Sequence, residues 1–314
     1  MEKRPLGWLV SRFPRRLGPL AGLLALAVAL SLLSDRFLTL TNLLNVTRQV
    51  SINAIIAAGM TLVILTGGID LSVGSILALA GAVTARAVAT GQPVLVAVAS
   101  GLGVGLAAGL VNGLLVTRGR VPAFIATLGT MTALRGLTLT YTGGRPITGL
   151  TDSFRALGGG YLLGLPVPVV IMALVFAAAW VFLTYTRPGR YVYALGSNRE
   201  AVRTAGVPTV PYETLVYVLS GLTAALAGVI LTARLNSAQP TAGMGFELDA
   251  IAAVVLGGTS LAGGSGGVGG TLVGAMIIGV LDNGLNLLNV SSFYQQVVKG
   301  LVILLAVLLD RARK

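Results

Sequence analysis

Long apolar segments recur along the whole chain, and short polar segments separate them. A membrane-spanning helix needs about 20 largely apolar residues. Ten segments approach that length, although 50–66, 248–262 and 294–309 are short for a span. The predicted spans are residues 17–34, 50–66, 71–90, 93–117, 121–140, 165–185, 214–233, 248–262, 268–288 and 294–309. This pattern predicts an all-α membrane protein, a polytopic bundle of about ten transmembrane helices.

The composition supports a chain surrounded by membrane lipid and excludes several kinds of chemistry. Hydrophobic residues make up 55% of the sequence and charged residues only 10%, whereas soluble domains carry about 25% charged residues. The chain contains no cysteine and no histidine. The commonest general base and the commonest metal ligands are therefore missing. We predict no catalytic residues, no metal and no cofactor.

Basic residues predict the orientation of the spans. With the N-terminus inside, segments 1–16, 118–120, 187–212 and 310–314 are cytoplasmic, and they hold 14 of the 22 Lys and Arg residues. Cytoplasmic loops of membrane proteins collect Lys and Arg. We therefore expect a basic cytoplasmic N-terminus over 1–16, a transmembrane domain over 17–309 and a cytoplasmic tail over 310–314. The net charge of +12 has this topological origin, and we predict no nucleic-acid partner.

Glycine runs mark two related places in the chain. Gly264–Gly269 forms a literal G-x-G-x-x-G, but it lies between membrane-length apolar runs with no room for a soluble βαβ unit, so nucleotide binding is rejected. The pattern GG-x-x-L-x-x-GS begins at Gly67 and again at Gly257. We interpret these segments, with Gly68 and Gly258, as Gly-rich broken helices near the cytoplasmic side.

A second use of glycine is predicted between 93 and 117. Glycines recur there every four residues, on one face of the helix, which favours close packing against another helix. The residues of this ladder are Gly101, Gly105, Gly109 and Gly113.

Polar side chains within the spans are candidates for a translocation path, because such groups are costly in lipid. Asp70 is interpreted first as a carboxylate at a helix start. Asp282, Asn283 and Asn286 fit interhelical hydrogen bonds and a hydrated path equally well. We expect 282 and 286, and also 283 and 286, to share a helix face. The complete set of path candidates is Asn53, Asp70, Asn112, Asp282, Asn283 and Asn286.

The longest inner segment, 187–212, is more structured than a connector needs. A short helix is predicted there, with Ser197 or Asn198 as its cap, Glu200 in its first turn and Gly206 at its end. Prolines flank the helix on both sides. We interpret it as a docking element.

Three segments, 61–83, 190–207 and especially 235–288, resemble the permease subunits of ribose-type ATP-binding-cassette sugar importers. The resemblance extends from about residue 40 to the C-terminus. It implies a homodimer in the cell (inner) membrane that works with a cytoplasmic ATPase subunit and an extracytoplasmic sugar-binding protein. It also implies that 187–212 couples the permease to the ATPase through Ser197, Asn198, Glu200, Ala201, Arg203 and Gly206.

Two other classes of protein remain as alternatives. An ion-coupled secondary sugar carrier acting alone would bury functional carboxylates in its spans, and only Asp282 clearly qualifies. A membrane-embedded enzyme would need a cluster of catalytic side chains, and the sequence offers none.

Overall fold

Twelve α-helices and one short hairpin make up the described part of the chain. The structure, a computed structural model, describes residues 18–312, without the side chains of residue 303 and residues 305–312. The predicted N-terminal segment 1–16 therefore lies outside the described residues. The helices are α1 (Gly18–Leu33), α2 (Leu40–Leu65), α3 (Val73–Ala89), α4 (Val94–Thr117), α5 (Ala123–Thr142), α6 (Asp152–Gly159), α7 (Val167–Tyr185), α8 (Arg187–Thr204), α9 (Thr209–Leu235), α10 (Phe246–Leu256), α11 (Val268–Leu287) and α12 (Ser292–Ala312).

The hairpin and α7 define the two ends of the bundle. Strand β1 (Tyr161–Leu162) pairs antiparallel with β2 (Leu165–Pro166) between α6 and α7. Helix α7 then has 19 residues, or roughly 28 Å at 1.5 Å per residue, and leads directly to α8. The hairpin and α6 thus lie at one end, which we call the α6 end, and α8 lies at the other, the α8 end.

Helix α2 forms the centre of the bundle. Every residue from Val50 to Leu65 except Asn53 is buried, and the side chains of Ile55 and Met60 are fully covered. Helices α7, α9, α10 and α11 all contact α2. Close packing rather than transfer from water holds helices together in lipid, so this central helix gives its neighbours a common surface.

Helix α4 packs through the predicted glycine ladder. All four glycines are buried. A Cβ at Gly105 would overlap the carbonyl oxygen of Gly221, and one at Gly109 would overlap that of Tyr217, both on α9. Gly113 likewise lies against Thr214 of α9, and Gly101 against Thr84 of α3. The backbones of α4 and α9 therefore approach more closely than any side chain at these positions would permit.

Five helices in the described part of the chain are long and apolar enough to cross a membrane. They are α2, α4, α7, α9 and α11, and α1 and α3 are apolar but shorter. Large apolar side chains such as Leu95, Leu174 and Trp180 are half or more exposed, as lipid contact requires. The structure is therefore that of an all-α, polytopic bundle of membrane-protein type.

Two of the predicted spans differ from the observed helices. The segment predicted as 50–66 begins ten residues earlier, at Leu40, where the Thr39 hydroxyl caps the helix by accepting from Asn42 N. Polar residues in the first turns of the helix lower the local hydropathy, so the apolar pattern did not indicate this start. The segment predicted as a span over 248–262 is helical only as far as Leu256, because α10 ends there after 11 residues, roughly 16 Å of helix.

The two glycine patterns end their helices in the same way. Gly67 and Gly258 both adopt left-handed backbone conformations, with φ of 80° and 84°. Each N–H bonds back to the carbonyl three residues earlier, and the next N–H bonds to the carbonyl five residues earlier, which is a Schellman end. Gly67 and Gly258 are therefore structurally equivalent. The sequence repeat instead aligns Gly67 with Gly257, so the two alignments differ by one residue.

The inner segment contains more helix than predicted. Helix α8 begins at Arg187, ten residues before the predicted cap, and α9 already begins at Thr209. The Thr186 hydroxyl accepts from Gly189 N at 3.1 Å and so caps the start of α8. Pro188 occupies the first turn, where its missing N–H costs nothing.

Candidate functional site

The α8 end brings α8 against both glycine turns. Gly264 N donates a hydrogen bond of 3.0 Å to the carbonyl oxygen of Leu65, at the end of α2. Gly196 of α8 lies against this pair, and a Cβ there would overlap both the Leu65 oxygen and the Gly264 nitrogen. Three backbone segments therefore meet only because residue 196 is glycine. We call this contact of Gly196, Leu65 and Gly264 the α8 junction.

A tyrosine adds a side-chain link at the same place. The Tyr193 hydroxyl donates to the carbonyl oxygen of Gly266 at 3.0 Å. Burial raises the pKa of Tyr193 above its ordinary value, so the phenol keeps the donated proton at neutral pH. The link ties α8 to the loop between α10 and α11.

The second half of α8 is a separately capped segment. The backbone at Asn198 is extended, with φ −161° and ψ 95°, and its Oδ1 accepts from Ala201 N at 2.9 Å. Ser197 instead donates to the carbonyl oxygen of Tyr193 at 3.0 Å, so Asn198 is the cap. Gly206, with φ 79°, follows the helix end as a left-handed glycine.

This segment presents small and charged side chains to the outside. The six residues predicted for coupling, Ser197, Asn198, Glu200, Ala201, Arg203 and Gly206, are all exposed. Glu200 pairs with Arg203 at 2.7 Å, with more than half of each side chain exposed, a kind of pair that contributes about 0–1 kcal/mol. Arg199 reaches back to the largely buried Glu213 of α9 at 2.7 Å. The second half of α8 is thus held to α9 by an ion pair, and its six predicted coupling residues are exposed to solvent.

Asp70 lies in a closed cluster of polar side chains nearer the α8 end. It is completely buried. Its Oδ1 accepts from the Ser72 backbone N–H at 3.0 Å and from the Ser72 hydroxyl at 2.6 Å. Its Oδ2 accepts from the Ser220 hydroxyl at 2.9 Å. Because α3 begins at Val73, Asp70 is neither a cap nor a first-turn residue of that helix, and it joins α9 to the segment before α3.

Asn112 extends the same cluster to α5. Its Nδ2 donates to the Ser72 hydroxyl at 2.7 Å, and its Oδ1 accepts from the Thr130 hydroxyl at 2.6 Å. Asn112 is also completely buried. The interhelical hydrogen bonds satisfy both ends of the amide, so this candidate path residue holds helices together.

A polar cavity of about 400 Å³ lies toward the α6 end, between α2, α9, α10, α11 and α12. It opens beside the end of α9 and the start of α10. Each of these five helices contributes at least one charged or amide side chain. These polar residues are Gln49, Asn53, Arg234, Asp249, Asp282, Asn286, Gln295 and Lys299.

One lysine joins three helices at the wall of this cavity. The Nζ of Lys299 on α12 lies 3.1 Å from Asp249 Oδ2 on α10 and 2.9 Å from Asp282 Oδ2 on α11. Gln295 of α12 adds a hydrogen bond of 2.8 Å to Asn286 Oδ1 on α11. These polar contacts fasten α12 to the rest of the bundle.

The predicted path residues therefore fall into three places. Asn53, Asp282 and Asn286 share the cavity, whereas Asp70 and Asn112 belong to the buried cluster. Asn283 faces Asn42 of α2, with two amide hydrogen bonds of 2.9 and 3.0 Å. Asn283 and Asn286 are three residues apart on α11, yet they contact different helices: Asn283 contacts α2 and Asn286 contacts α12.

The sequence interpretation missed Asp249 and Lys299 as cavity residues. Asp249 lies in the first turn of α10. Lys299 lies inside the predicted span 294–309. A lone lysine within a span is itself a sign of a buried ionic partner, and this signal could have identified it.

The chain is thus a helical bundle of membrane-protein type, with a cavity toward one end and a surface helix at the other. The chain belongs to the family described as branched-chain amino acid transport system / permease component, whose model matches residues 42–307. No solved structure gives a significant match to the chain.

Curated relatives cover almost the whole chain. The ribose import permease protein RbsC of Escherichia coli K12 is 58% identical over 299 residues, 94% of this chain and 93% of the relative. RbsC of Bacillus subtilis 168 is 56% identical over 301 residues, 95% and 94% of the two chains. The D-allose transport system permease protein AlsC of E. coli K12 is 42% identical over 292 residues, 92% and 90%. These relationships make the chain a transport component rather than an enzyme, and they favour the importer permease over a self-sufficient carrier.

Proposed function

We propose that the chain is the permease subunit of an ATP-binding-cassette importer that passes ribose or a similar monosaccharide into the cytoplasm. The observation that carries this proposal is the identity of 58% to a ribose import permease along nearly the full length of both chains. A separate ATPase supplies the energy, and an extracytoplasmic binding protein delivers the sugar.

Helix α8 is the proposed coupling element. Its second half is exposed, capped by Asn198 and fixed to α9 through the pair of Arg199 and Glu213. The α8 junction supports the role, because a push on α8 reaches the ends of α2 and α10 through backbone contacts that contain no flexible side chain.

In the proposed topology, ten spans cross a bacterial inner membrane and both termini lie in the cytoplasm. The distribution of Lys and Arg supports it. In this topology α10, its loop and the Gly-rich turn count as one interrupted span, and the α6 end faces the binding protein.

A second copy of the chain completes the proposed path. Helix α5 exposes a stripe of small and polar residues, Gly129, Thr132, Gly136 and Thr140. By contrast, the lipid-type surface of α7 exposes Leu174 and Trp180. Small residues favour contact between helices in membranes, so we place α5 at the twofold axis of a homodimer, with lipid around the remaining surface.

A single substitution on α8 tests the coupling role. Ala201 is exposed, so Ala201→Asp adds a carboxylate to the proposed ATPase surface without filling any buried space. We expect ATP-driven uptake to be lost while membrane insertion and thermal stability stay unchanged, and Ala201→Ser, the matched control, to transport normally. Normal uptake and normal ATPase association of Ala201→Asp would refute the assignment.

A further inference from the structure

Two arginines at the α6 end have no acidic partner. The guanidinium groups of Arg48 on α2 and Arg234 on α9 form no ion pair and donate no hydrogen bond to any residue that the structure describes between 18 and 312. Both side chains are partly buried, and the Nε of Arg48 is covered without an acceptor. Buried charged groups normally pair, so these two groups call for an anion.

The two guanidinium groups are also neighbours, close enough to repel each other. The acidic groups of the adjoining cavity are already engaged, because Lys299 contacts both Asp249 and Asp282. On the nearby helix α6, Asp152 and Arg155 pair with each other at 2.7 Å. The region therefore carries an excess of positive charge. A single negative charge between the arginines would replace one repulsion by two attractions.

The arginine pair lies at the depth expected of lipid headgroups. Roughly 25 Å of helix separates Arg48 from Leu65, where α2 ends at the α8 end. This length approaches the hydrocarbon thickness of a bilayer, about 30 Å. The ring of Tyr161 covers the Arg48 guanidinium, 4.6 Å from its centre, and tyrosine is enriched at the boundary between membrane and water.

An exposed apolar surface lies beside the pair. The hairpin whose tyrosine covers Arg48 also exposes Leu162, Leu163 and Leu165, and Leu163 at its tip is 97% exposed. Leu235, which follows the second arginine, is half exposed as well. A group of exposed leucines indicates a surface that an apolar partner covers. A free inorganic anion would leave these leucines uncovered, whereas a phospholipid offers both a phosphate and hydrocarbon chains.

We propose that Arg48 and Arg234 bind the phosphodiester of an anionic phospholipid, whose acyl chains cover the exposed leucines. The planar guanidinium forms two parallel hydrogen bonds to phosphate oxygens. The adjoining cavity of about 400 Å³ gives the headgroup room. A zwitterionic headgroup fits less well, because its ammonium group meets the excess positive charge. The site goes beyond the proposed function, and only its assignment to the outer leaflet rests on the proposed topology.

Native mass spectrometry of the complete permease–ATPase complex tests the site by counting the lipids that the complex retains. The probes are dioleoylphosphatidylglycerol, which is anionic, and dioleoylphosphatidylethanolamine, which is zwitterionic. We expect one phosphatidylglycerol per permease chain, bound at least about tenfold more tightly than phosphatidylethanolamine. Arg234→Gln removes one charged contact, and its affinity for phosphatidylglycerol falls by roughly tenfold or more. Arg36→Gln is the matched control, because Arg36 is exposed before α2 and outside the pair, and its affinity stays at the wild-type value.

Thermal unfolding of the same complexes separates a lipid from a free anion. Phosphatidylglycerol raises the melting temperature of wild type, since a ligand that binds the folded state stabilises it, and it raises that of Arg234→Gln much less. Inorganic phosphate alone leaves the wild-type melting temperature unchanged. If Arg234→Gln does not assemble, Arg48→Lys tests the same site. It keeps the charge but loses the two parallel hydrogen bonds, so phosphatidylglycerol binds severalfold more weakly.

Three results would overturn the lipid site. The first is equal retention of the two lipids by wild type, or equal phosphatidylglycerol binding by wild type and the arginine variants. The second is stabilisation by inorganic phosphate as large as that by phosphatidylglycerol, which would assign the arginines to a free anion. The third is no retained phosphatidylglycerol together with weaker binding-protein association in Arg234→Gln, which would assign them to a protein partner.

Discussion

At the scale of single residues, the spacing of helices depends on glycines that have no room for a side chain. Gly105 faces the α9 backbone, whereas Gly103, on the same helix, has no atom within 4 Å of a Cβ built there. The two positions therefore provide a matched pair on one helix.

We predict that Gly105→Leu destabilises the protein and that Gly103→Leu does not. Overpacking costs about 1–3 kcal/mol where side chains can adjust, and the cost is greater here because the opposing group is backbone. Thermal unfolding of the purified variants measures the difference. Equal melting temperatures for both variants would show that α4 and α9 do not pack as described.

Asn198 and Ser197 offer a second matched pair. Asn198→Ala removes the cap of residues 199–204 and costs about 1 kcal/mol, which corresponds to roughly fivefold faster amide exchange in that segment. Ser197→Ala leaves the cap in place. Hydrogen exchange resolved to this segment distinguishes them, and faster exchange in the serine variant would reverse the assignment.

Helix-capping rules predicted the conformation of some residues, but they did not predict contacts between distant residues. The left-handed Gly206 and a cap at 197 or 198 follow from nearest-neighbour chemistry, so the sequence was sufficient. The separation of Asn283 from Asn286 depends on which helices lie on each side of α11. No local pattern contains that information, and the same holds for the pairing of Lys299 with Asp249.

At the scale of elements, α10 connects the cavity at the α6 end with the α8 junction. Its first turn carries Asp249 at the cavity, and its last residue leads into the loop that meets Gly196 of α8. A helix of 11 residues is short enough to move as one rigid piece. Displacement of α8 is therefore expected to alter the cavity through α10.

We predict that Gly196→Ala uncouples ATP hydrolysis from uptake, because its Cβ would push α8 away from the end of α2 and from Gly264. Gly269→Ala, at the start of α11, has open space around the added Cβ and serves as the control. Uptake and ATPase activity are measured together in proteoliposomes. Tight coupling in Gly196→Ala would argue against transmission through the α8 junction.

Helix existence was easier to predict than helix length. The apolar runs of α4, α7 and α11 have nearly the predicted bounds. The early start of α2 was hidden by polar residues such as Arg48, whose guanidinium lies 4.6 Å from the ring centre of Tyr161. The early end of α10 depends on a glycine in a left-handed conformation within an otherwise apolar run, where hydropathy gives no signal.

At the scale of the whole molecule, the proposed homodimer brings α5 of two copies into contact. The chain has no cysteine, so a single introduced thiol reports on one position. We predict that Thr132→Cys on α5 forms a disulfide-linked dimer in membranes under oxidation and that Leu174→Cys on α7 does not. Cross-linking through α7, or through neither position, would place the interface elsewhere.

We propose that this chain conducts sugar only when another protein supplies the energy. The most direct test is sugar accumulation in proteoliposomes that contain the permease, its ATPase and its binding protein, with each component omitted in turn. We expect accumulation against a gradient only when all three proteins and ATP are present. Accumulation by the permease alone under an ion gradient, or ATP hydrolysis by the permease alone, would contradict it.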